Sequence, residues 1–489
     1  MPAAGVPVSV GTGKSVLSVG AGLAGSLLAS YLAKLGYGVT VAERRGDPRV
    51  AGYQGGRSIN LALSARGLWA LDGVGLKDEV LRHAIPMRGR IMHAAEPNPT
   101  LVFQPYGSRP EHVINSISRG GLNLALLNAA ACHENVTLLF QRRCVDVDVP
   151  SCTAVFVNAA GMEERLSADL VIGADGAFSA VRGALQRTDR FEYSQSYLGH
   201  GYKELHIPAL PQGAGPHGGF ALDPNALHIW PRGSAMMIAL PNPDRSFTCT
   251  LFWPFEGPHG FAGLTTADAV RTFFERNYPD AVPLMPTLVE DFLENPVGSL
   301  VTVRCRPWAR HGERGTVAVI GDAAHAIVPF FGQGMNAAFE DVRVLAECLQ
   351  RHGADVRAAV DDCQRVRKPN ADAIAQMALE NFVEMRDKVG SRVFLWKKKL
   401  EHAVQGAAPA SFPSRYELVS FSTVPYTEAL EAGRRFDRLI LVVVACGVFI
   451  VGLLLSLVTW FAGWAILAGV FAGLLVGMKW SAGGPGERP

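Results

Sequence analysis

The chain has 489 residues, and 46 Lys and Arg against 44 Asp and Glu leave a net charge of +2. That balance excludes a nucleic-acid binder working through a dominant basic surface. The hydrophobic content of 48 % is concentrated in one uncharged run, residues 439–478, which excludes both a many-span transporter and a disordered chain and leaves a soluble body with an apolar tail.

In chain order, the first 15 residues lack both a charged segment followed by an apolar one and an Arg-rich amphipathic pattern, so no targeting leader is expected. Gly13-Lys14-Ser15 is not a P-loop, because position 8 is Val and the triplet precedes a strand. The spacing predicts a strand over residues 15–19, a glycine-rich turn Gly20-Ala21-Gly22-Leu23-Ala24-Gly25, a helix over 27–35 and a second strand over 39–42 that ends in Glu43. Short helices are predicted at 66–71 and 122–131, and strands at 136–140, 145–149, 154–157 and 170–172, the last stopped by Gly173-Ala174-Asp175-Gly176. Alternation between 201 and 254 predicts an antiparallel sheet. A buried strand over 316–320 then runs into Gly321-Asp322, followed by helices over 335–351 and 354–384, the second broken or kinked at Pro369. The eight cysteines show no C-x-x-C spacing and no zinc pattern, and they fit a reduced compartment.

The fold class expected is α/β: a discontinuous Rossmann-like FAD-binding domain, an antiparallel β-sheet substrate domain, C-terminal helices and a C-terminal transmembrane anchor. The divisions expected are 1–190 and 301–350 for the dinucleotide domain, 191–300 for the sheet domain, 351–433 for helices completing the substrate pocket, and 434–489 for the anchor.

The turn carries the chemistry. GxGxxG between a strand and a helix, with an acidic residue 23 positions after Gly20, is the dinucleotide fingerprint in its required context. Gly20 makes the tight turn, Gly22 lets backbone approach a pyrophosphate at the helix N-terminus, Gly25 allows close helix–strand packing, and Glu43 accepts from a ribose hydroxyl. No second such motif is present. One dinucleotide is therefore resident, which favours FAD, with a nicotinamide donor visiting transiently. Asp322 suits a ribityl or ribose hydroxyl, and the helix opening at Gly334-Met335-Asn336 suits the electron-rich edge of a reduced flavin. His325 reads as a structural histidine and not as a base.

These three motifs in this order resemble the single-component flavoprotein monooxygenases. The strings Gly56-Arg57-Ser58-Ile59-Asn60-Leu61-Ala62-Leu63-Ser64, Ile85-Pro86-Met87-Arg88-Gly89-Arg90, Leu227-His228-Ile229-Trp230-Pro231-Arg232, the run from His325 to Asn336, and Asn381-Phe382-Val383-Glu384-Met385-Arg386 resemble the kynurenine 3-monooxygenase family. The resemblance covers about residues 15–430. It implies flavin contacts at Ala24, Glu43, Arg44, Ala62, Arg119, Cys144 (through backbone), Asp322, Met335 and Asn336, and substrate contacts at Arg90, Tyr106, Asn381 and Tyr416. It implies no catalytic side chain and no metal. It further implies that NADPH reduces a tightly but non-covalently bound FAD, that O₂ is activated as a flavin C4a-hydroperoxide, and that L-kynurenine is hydroxylated at the position ortho to its ring amine. Ser118-Arg119-Gly120-Gly121-Leu122 departs from the family in lacking an acidic residue after the Arg, and the first motif reads G-A-G for the commoner G-G-G. Phe330, Phe331, Phe382 and Met385 are candidate pocket walls.

As one helix, residues 439–478 would span about 60 Å, twice a hydrocarbon core of ~30 Å. Two helices, about 439–459 and 463–478, turning near Thr459-Trp460-Phe461-Ala462-Gly463-Trp464, are therefore expected, with Arg434, Arg435, Arg438 and Lys479 on one side; one tilted span plus an interfacial segment is the alternative. The resemblance implies the mitochondrial outer membrane with the body facing the cytosol. Two rival readings are a membrane-anchored flavin enzyme acting on a quinone or isoprenoid lipid, and a flavin-binding scaffold without turnover. The Arg, Tyr and Asn set argues against the first, and the intact cofactor motifs against the second.

Overall fold

The computed structural model describes residues 13–51, 60–94, 101–107, 109–233, 235–257, 260–383 and 413–481. The residues 56–59 of one resemblance string and 384–386 of another, Met385 included, lie outside this set.

The first strand, Ser15–Val19, is buried along almost its whole length and sits inside a six-stranded sheet. Its neighbours are Gly38–Ala42 on one side and Leu170–Gly173 on the other, both parallel. Val136–Leu139 and Thr316–Val319 extend the parallel set, and Ala309–His311 closes one edge in the antiparallel sense. Strands covered on both faces need continuous apolar side chains, as in Leu170-Val171-Ile172. The sheet is thus assembled from three separated pieces of chain, with the Leu23–Lys34 helix packed on one face through Leu27, Leu28 and Leu32.

The second sheet has seven strands in the order Gly298–Arg306, Glu192–Ile207, Phe247–Pro254, Ala235–Pro241, Ala226–Arg232, Gly89–Met92, Val102–Pro105. Every pairing is antiparallel except Ala226–Arg232 with Gly89–Met92. Two of its strands therefore come from the stretch between the Rossmann elements, so residue 90 lies beside residue 227. Period-2 alternation divides the sheet into two faces. Trp230, Met237, Cys249 and Leu251 pack into one core with the Ala267–Asn277 helix, and Ile229, Met236 and Phe252 face the other way.

Two long helices, Gly334–His352 and Val356–Val383, join the sheets. The second runs through Pro369 without the break that is one of the two outcomes expected there. A proline inside a helix costs ~3 kcal/mol, and the buried face of Ala359, Val360, Cys363, Ala371 and Ile374 offsets that cost. Asn370 Nδ2 also donates to the Val366 carbonyl at 2.9 Å in the turn before the ring.

The tail departs from the two-helix expectation as well. It is one continuous helix, Tyr426–Ser481. No proline interrupts it. Its first turns belong to the body: Tyr426 and Ala429 are wholly buried, and Tyr426 Oη donates to Gln333 Oε1 at 2.9 Å. Beyond Ile440 the side chains turn outward. Within residues 426–457 an 18-residue window has a mean hydropathy of 3.0, and the helix is long and apolar enough to cross a membrane, the one such helix among the described residues.

Candidate functional site

At the carboxyl ends of the parallel strands the two sheets enclose one cavity of about 2640 Å³. Pockets for a single small ligand hold ~300–1,000 Å³, so this one has room for a dinucleotide and a second molecule together.

The glycine turn forms one end. Gly20 has φ +102°, and a Cβ there would lie 2.6 Å from the Ala174 carbonyl oxygen. At Gly25 it would lie 1.9 Å from the Gly20 oxygen, so the helix can approach the turn only without a side chain. Gly22 differs: a Cβ would meet nothing within 4 Å, and the residue lines the cavity. Gly22 is also the N-cap of the Leu23–Lys34 helix and supplies no side-chain acceptor, so the first-turn N–H groups are left for an anion.

Glu43 ends the second strand and holds the turn. Its Oε2 accepts from Ala21 N at 2.9 Å and its Oε1 from Arg45 N at 3.0 Å, leaving a lone pair on each oxygen toward the cavity it lines. Arg44, Ala24, Ala62, Arg119, Cys144, Asp322 and Met335 line the same cavity. Ser118 Oγ caps the helix that presents Arg119, accepting from Gly121 N at 3.3 Å. Burial pushes the Cys144 thiol up to about 12, so this residue is a neutral wall.

Asn336 and Gly25 are the predicted residues that do not line the cavity. The Asn336 carboxamide is fully buried; it accepts from Ser64 N at 3.0 Å and donates to the Ala62 and Gly332 carbonyls at 2.8 and 2.9 Å. Its side chain fixes the loop that carries Ala62. His325 is also off the cavity, bonded through Nε2 to Asp341 Oδ2 and stacked on Trp308, as befits a structural histidine. Asp341 in turn accepts from Arg367 Nε at 2.7 Å; desolvation pushes its buried carboxyl up, but the His325 and Arg367 contacts together hold it below the usual range.

Sequence reading missed Asp175. Its Oδ2 accepts from Ala180 N at 2.7 Å and burial raises its carboxyl, while its Oδ1 is buried without a partner on the cavity wall. The Gly173-Ala174-Asp175-Gly176 turn was visible, but only the fold shows one oxygen left over. The unfilled space over Gly22 and this orphan acceptor fit a hydroxyl-rich dinucleotide lying along the turn.

The opposite end is built on the seven-stranded sheet. Arg90 and Met92 alternate with Gly89 and Ile91, so they share the cavity face with Leu227, Ile229, Met236 and Ile238. The Arg90 guanidinium lies 4.4 Å from the Tyr416 ring centroid and 5.3 Å from that of Tyr106, and these two rings stack at 5.8 Å. Among the described residues no carboxylate pairs with Arg90. Tyr106 is 6 % exposed, and burial raises its phenol well above the ordinary value. Asn381 Nδ2 donates to the Phe330 carbonyl at 2.7 Å, which leaves Oδ1 as the available acceptor. Phe330 packs on Phe382 and Phe252 with centroids at 4.5 and 5.1 Å, and Phe331 on Tyr416 at 5.7 Å.

Tyr416 rides on the Arg415–Phe421 helix, which is started by a capping box between Ser414 and Glu417. Its neighbour Arg415 bonds Glu380 at 2.9 Å and Asp437 at 3.3 Å, tying together the helices that carry Tyr416, Asn381 and the apolar tail.

This arrangement, a GxGxxG strand–helix turn opening on a cavity large enough for two ligands, defines an FAD-binding protein. A family model described as FAD binding domain matches residues 14–202 and 291–378, the discontinuity seen in the fold. The chain is 50 % identical to kynurenine 3-monooxygenase of Myxococcus xanthus over 87 % of its own length and 90 % of that protein's. It is 48 % identical to the Dictyostelium discoideum enzyme of the same name, over 86 % and 91 %. The chain belongs to the kynurenine 3-monooxygenase family. Among solved structures, 2-methyl-3-hydroxypyridine-5-carboxylic acid oxygenase matches with a TM-score of 0.61 at 22 % identity, over 78 % of this chain and 95 % of that one. PqsL of P. aeruginosa matches with 0.59 at 21 %, over 76 % and 97 %. Both share the fold.

Proposed function

We propose that this chain is an FAD- and NADPH-dependent monooxygenase that converts L-kynurenine to 3-hydroxykynurenine. The observation that carries the reading is the cavity itself: the dinucleotide turn and an arginine without a carboxylate partner, set between two tyrosines, open into one space. FAD, when bound, supplies the redox chemistry and the activation of O₂.

The rest falls to the chain. Gly22, the first-turn N–H groups, Glu43 and Asp175 Oδ1 would hold the dinucleotide, with Asp322 and the Gly334–His352 helix N-terminus toward its isoalloxazine end. Arg90 offers a planar fork to the α-carboxylate of an amino acid, a charge that could not enter so apolar a space unpaired. Tyr106 and Tyr416 add hydroxyl donors. Because Asn381 Nδ2 is taken by Phe330, its Oδ1 faces the cavity as an acceptor suited to the α-ammonium group. Phe252, Phe330, Phe331 and Met236 wall the aromatic end and keep water out. The ring amine of kynurenine already pushes electrons to its ortho carbon, so the site works without the general base that His325, turned away toward Asp341, does not supply.

For the membrane we propose the mitochondrial outer membrane, with Arg434, Arg435 and Arg438 holding the body on the cytosolic side. Cell fractionation with protease protection tests this. For the reaction, the test is kynurenine-stimulated NADPH oxidation by the purified yellow protein, with 3-hydroxykynurenine identified as product. Stimulation by a quinone and not by kynurenine would overturn the reading.

A further inference from the structure

A second cavity, about 640 Å³, lies between the Glu192–Ile207 and Gly298–Arg306 strands, the Val356–Val383 helix at Pro369, and the first turns of the Tyr426–Ser481 helix. Arg304 and Gln376 line both this cavity and the large one, so the two share a wall. Its cations are poorly neutralised. Arg304, Arg306 and Arg434 have no ion-pair partner among the described residues, and Arg304 Nε is buried with no hydrogen-bond partner at all. Of the acids on the wall, Asp372 is taken by Lys368 and Glu431 by Arg435, which leaves Glu192. Arg304 and Arg306 stand two apart on one strand, hence on one face, with Cys305 turned into the core between them. Tyr193, paired with Cys305, turns to the opposite face, where the Arg182 guanidinium lies 4.9 Å from its ring centroid.

A guanidinium cluster with unused donors is the chemistry that receives the phosphates of a nucleotide, with planar forks for their oxygens. The proposed reaction needs such a place. The single GxGxxG turn opens on the large cavity, and the nicotinamide donor has no Rossmann turn of its own. We infer that the second cavity binds the phosphates of NADPH through Arg304 and Arg306, with Arg434 at its rim, and that the wall shared at Arg304 is where the nicotinamide end passes toward the flavin cavity. This inference rests on the reading of NADPH as the donor and concerns binding alone.

The test is a titration of the full-length, FAD-loaded protein in detergent with NADP⁺, read by calorimetry and by the flavin absorbance. Arg304→Ala and Arg306→Ala should each weaken NADP⁺ about 10- to 100-fold, the range lost with one charge-assisted contact. In Arg306→Ala, whose residue does not line the large cavity, FAD content and kynurenine affinity should stay the same. Arg306→Gln, at an exposed position, guards against a folding defect at Arg304. Binding by the wild type should weaken with added salt, and by less in either variant. Equal NADP⁺ affinity in wild type and the double variant, both yellow, overturns the groove and leaves the NADPH reading intact. Failure of the wild type to oxidise NADPH or bind NADP⁺ overturns the reading itself. Weaker binding of the variants to anionic phospholipid vesicles, with NADP⁺ affinity unchanged, would give the arginines to the membrane surface and also overturns the inference.

Discussion

The Arg90 guanidinium lies 4.4 Å from the ring centroid of Tyr416, although the two belong to a sheet strand near the start of the chain and a short helix near its end. The tyrosine ring is a face for the cation and not a counter-ion, so the charge stays available to a carboxylate. Arg90→Ala should raise the kynurenine KM about 100-fold or more while FAD content is unchanged. Arg90→Lys should recover little of this, because a point charge replaces a planar fork. Steady-state kinetics on FAD-matched samples check it, and a KM within twofold of wild type in both variants would remove Arg90 from the substrate site.

Two glycines of the turn, Gly22 and Gly25, are expected to fail in different ways. Gly25→Ala places a Cβ 1.9 Å from the Gly20 carbonyl oxygen, so the helix must move and the protein should be unstable and colourless. Gly22→Ala meets no protein atom, so the chain should fold and melt almost as the wild type but lose FAD on dialysis, because the methyl enters the space a pyrophosphate would use. Melting temperature and flavin stoichiometry, measured together, separate the two. A yellow Gly22→Ala protein holding FAD at wild-type affinity would place the pyrophosphate elsewhere.

Much of this site is readable in the sequence because its dinucleotide half is local: Gly20, Gly22, Gly25 and Glu43 act through one turn and the strand beside it. The substrate half is not local. Nothing in the run around Arg90 distinguishes it from a surface arginine until Gly89–Met92 pairs in parallel with Ala226–Arg232 and turns residue 90 inward. The partners of Asn336 show the same limit. Asn336, a flavin contact by resemblance, has its carboxamide spent on the backbone of Ala62, Ser64 and Gly332, which no reading of its own run could foresee. The tail misled for a different reason: twice the span of a bilayer suggested a hairpin, but apolarity alone supplies no turn.

Behind the substrate face, His228 is 1 % exposed and hydrogen-bonded on both nitrogens, Nε2 to the Asp223 carbonyl at 2.9 Å and Nδ1 to His93 Nε2 at 2.9 Å. A carbonyl only accepts, so His228 carries its proton on Nε2 and takes a hydrogen bond from His93 at Nδ1. Burial lowers the His228 imidazole to about 4, with the Asp223 carbonyl opposing. The unfolded imidazole takes a proton below ~6.5, so between that value and about 4 the unfolded chain holds a proton the folded one refuses. Stability should therefore fall as pH drops through this window, by about 3 kcal/mol at pH 4 from this residue. Melting of the FAD-loaded protein from pH 7.5 to 4.5 checks the slope, and it should flatten in His228→Gln. An equally steep slope in that variant would assign the effect to other groups.

The helix that leaves the body does two jobs along its length, and truncation should separate them. Up to Ile440, 1 % exposed, it is part of the core: Tyr426 bonds Gln333, the residue before the Gly334–His352 helix, and the Arg66 guanidinium lies 3.8 Å from its ring centroid. Leu441 is 65 % exposed, and Phe449 and Leu455 beyond it are 72 % and 61 % exposed, apolar side chains that water would not tolerate in such a row. A chain ending at Ile440 should therefore be recovered without detergent, yellow and with its kynurenine-dependent NADPH oxidation retained. A chain ending at Pro425 loses Tyr426 from over Arg66 and uncovers Gln333, so it should lose FAD and aggregate even though less apolar surface remains in the sequence. Sedimentation without detergent and flavin content decide between them. Were the longer truncation still membrane-bound, the anchor would lie in the body and not in the helix; were the shorter one soluble and active, the first turns of the helix would carry no part of the fold.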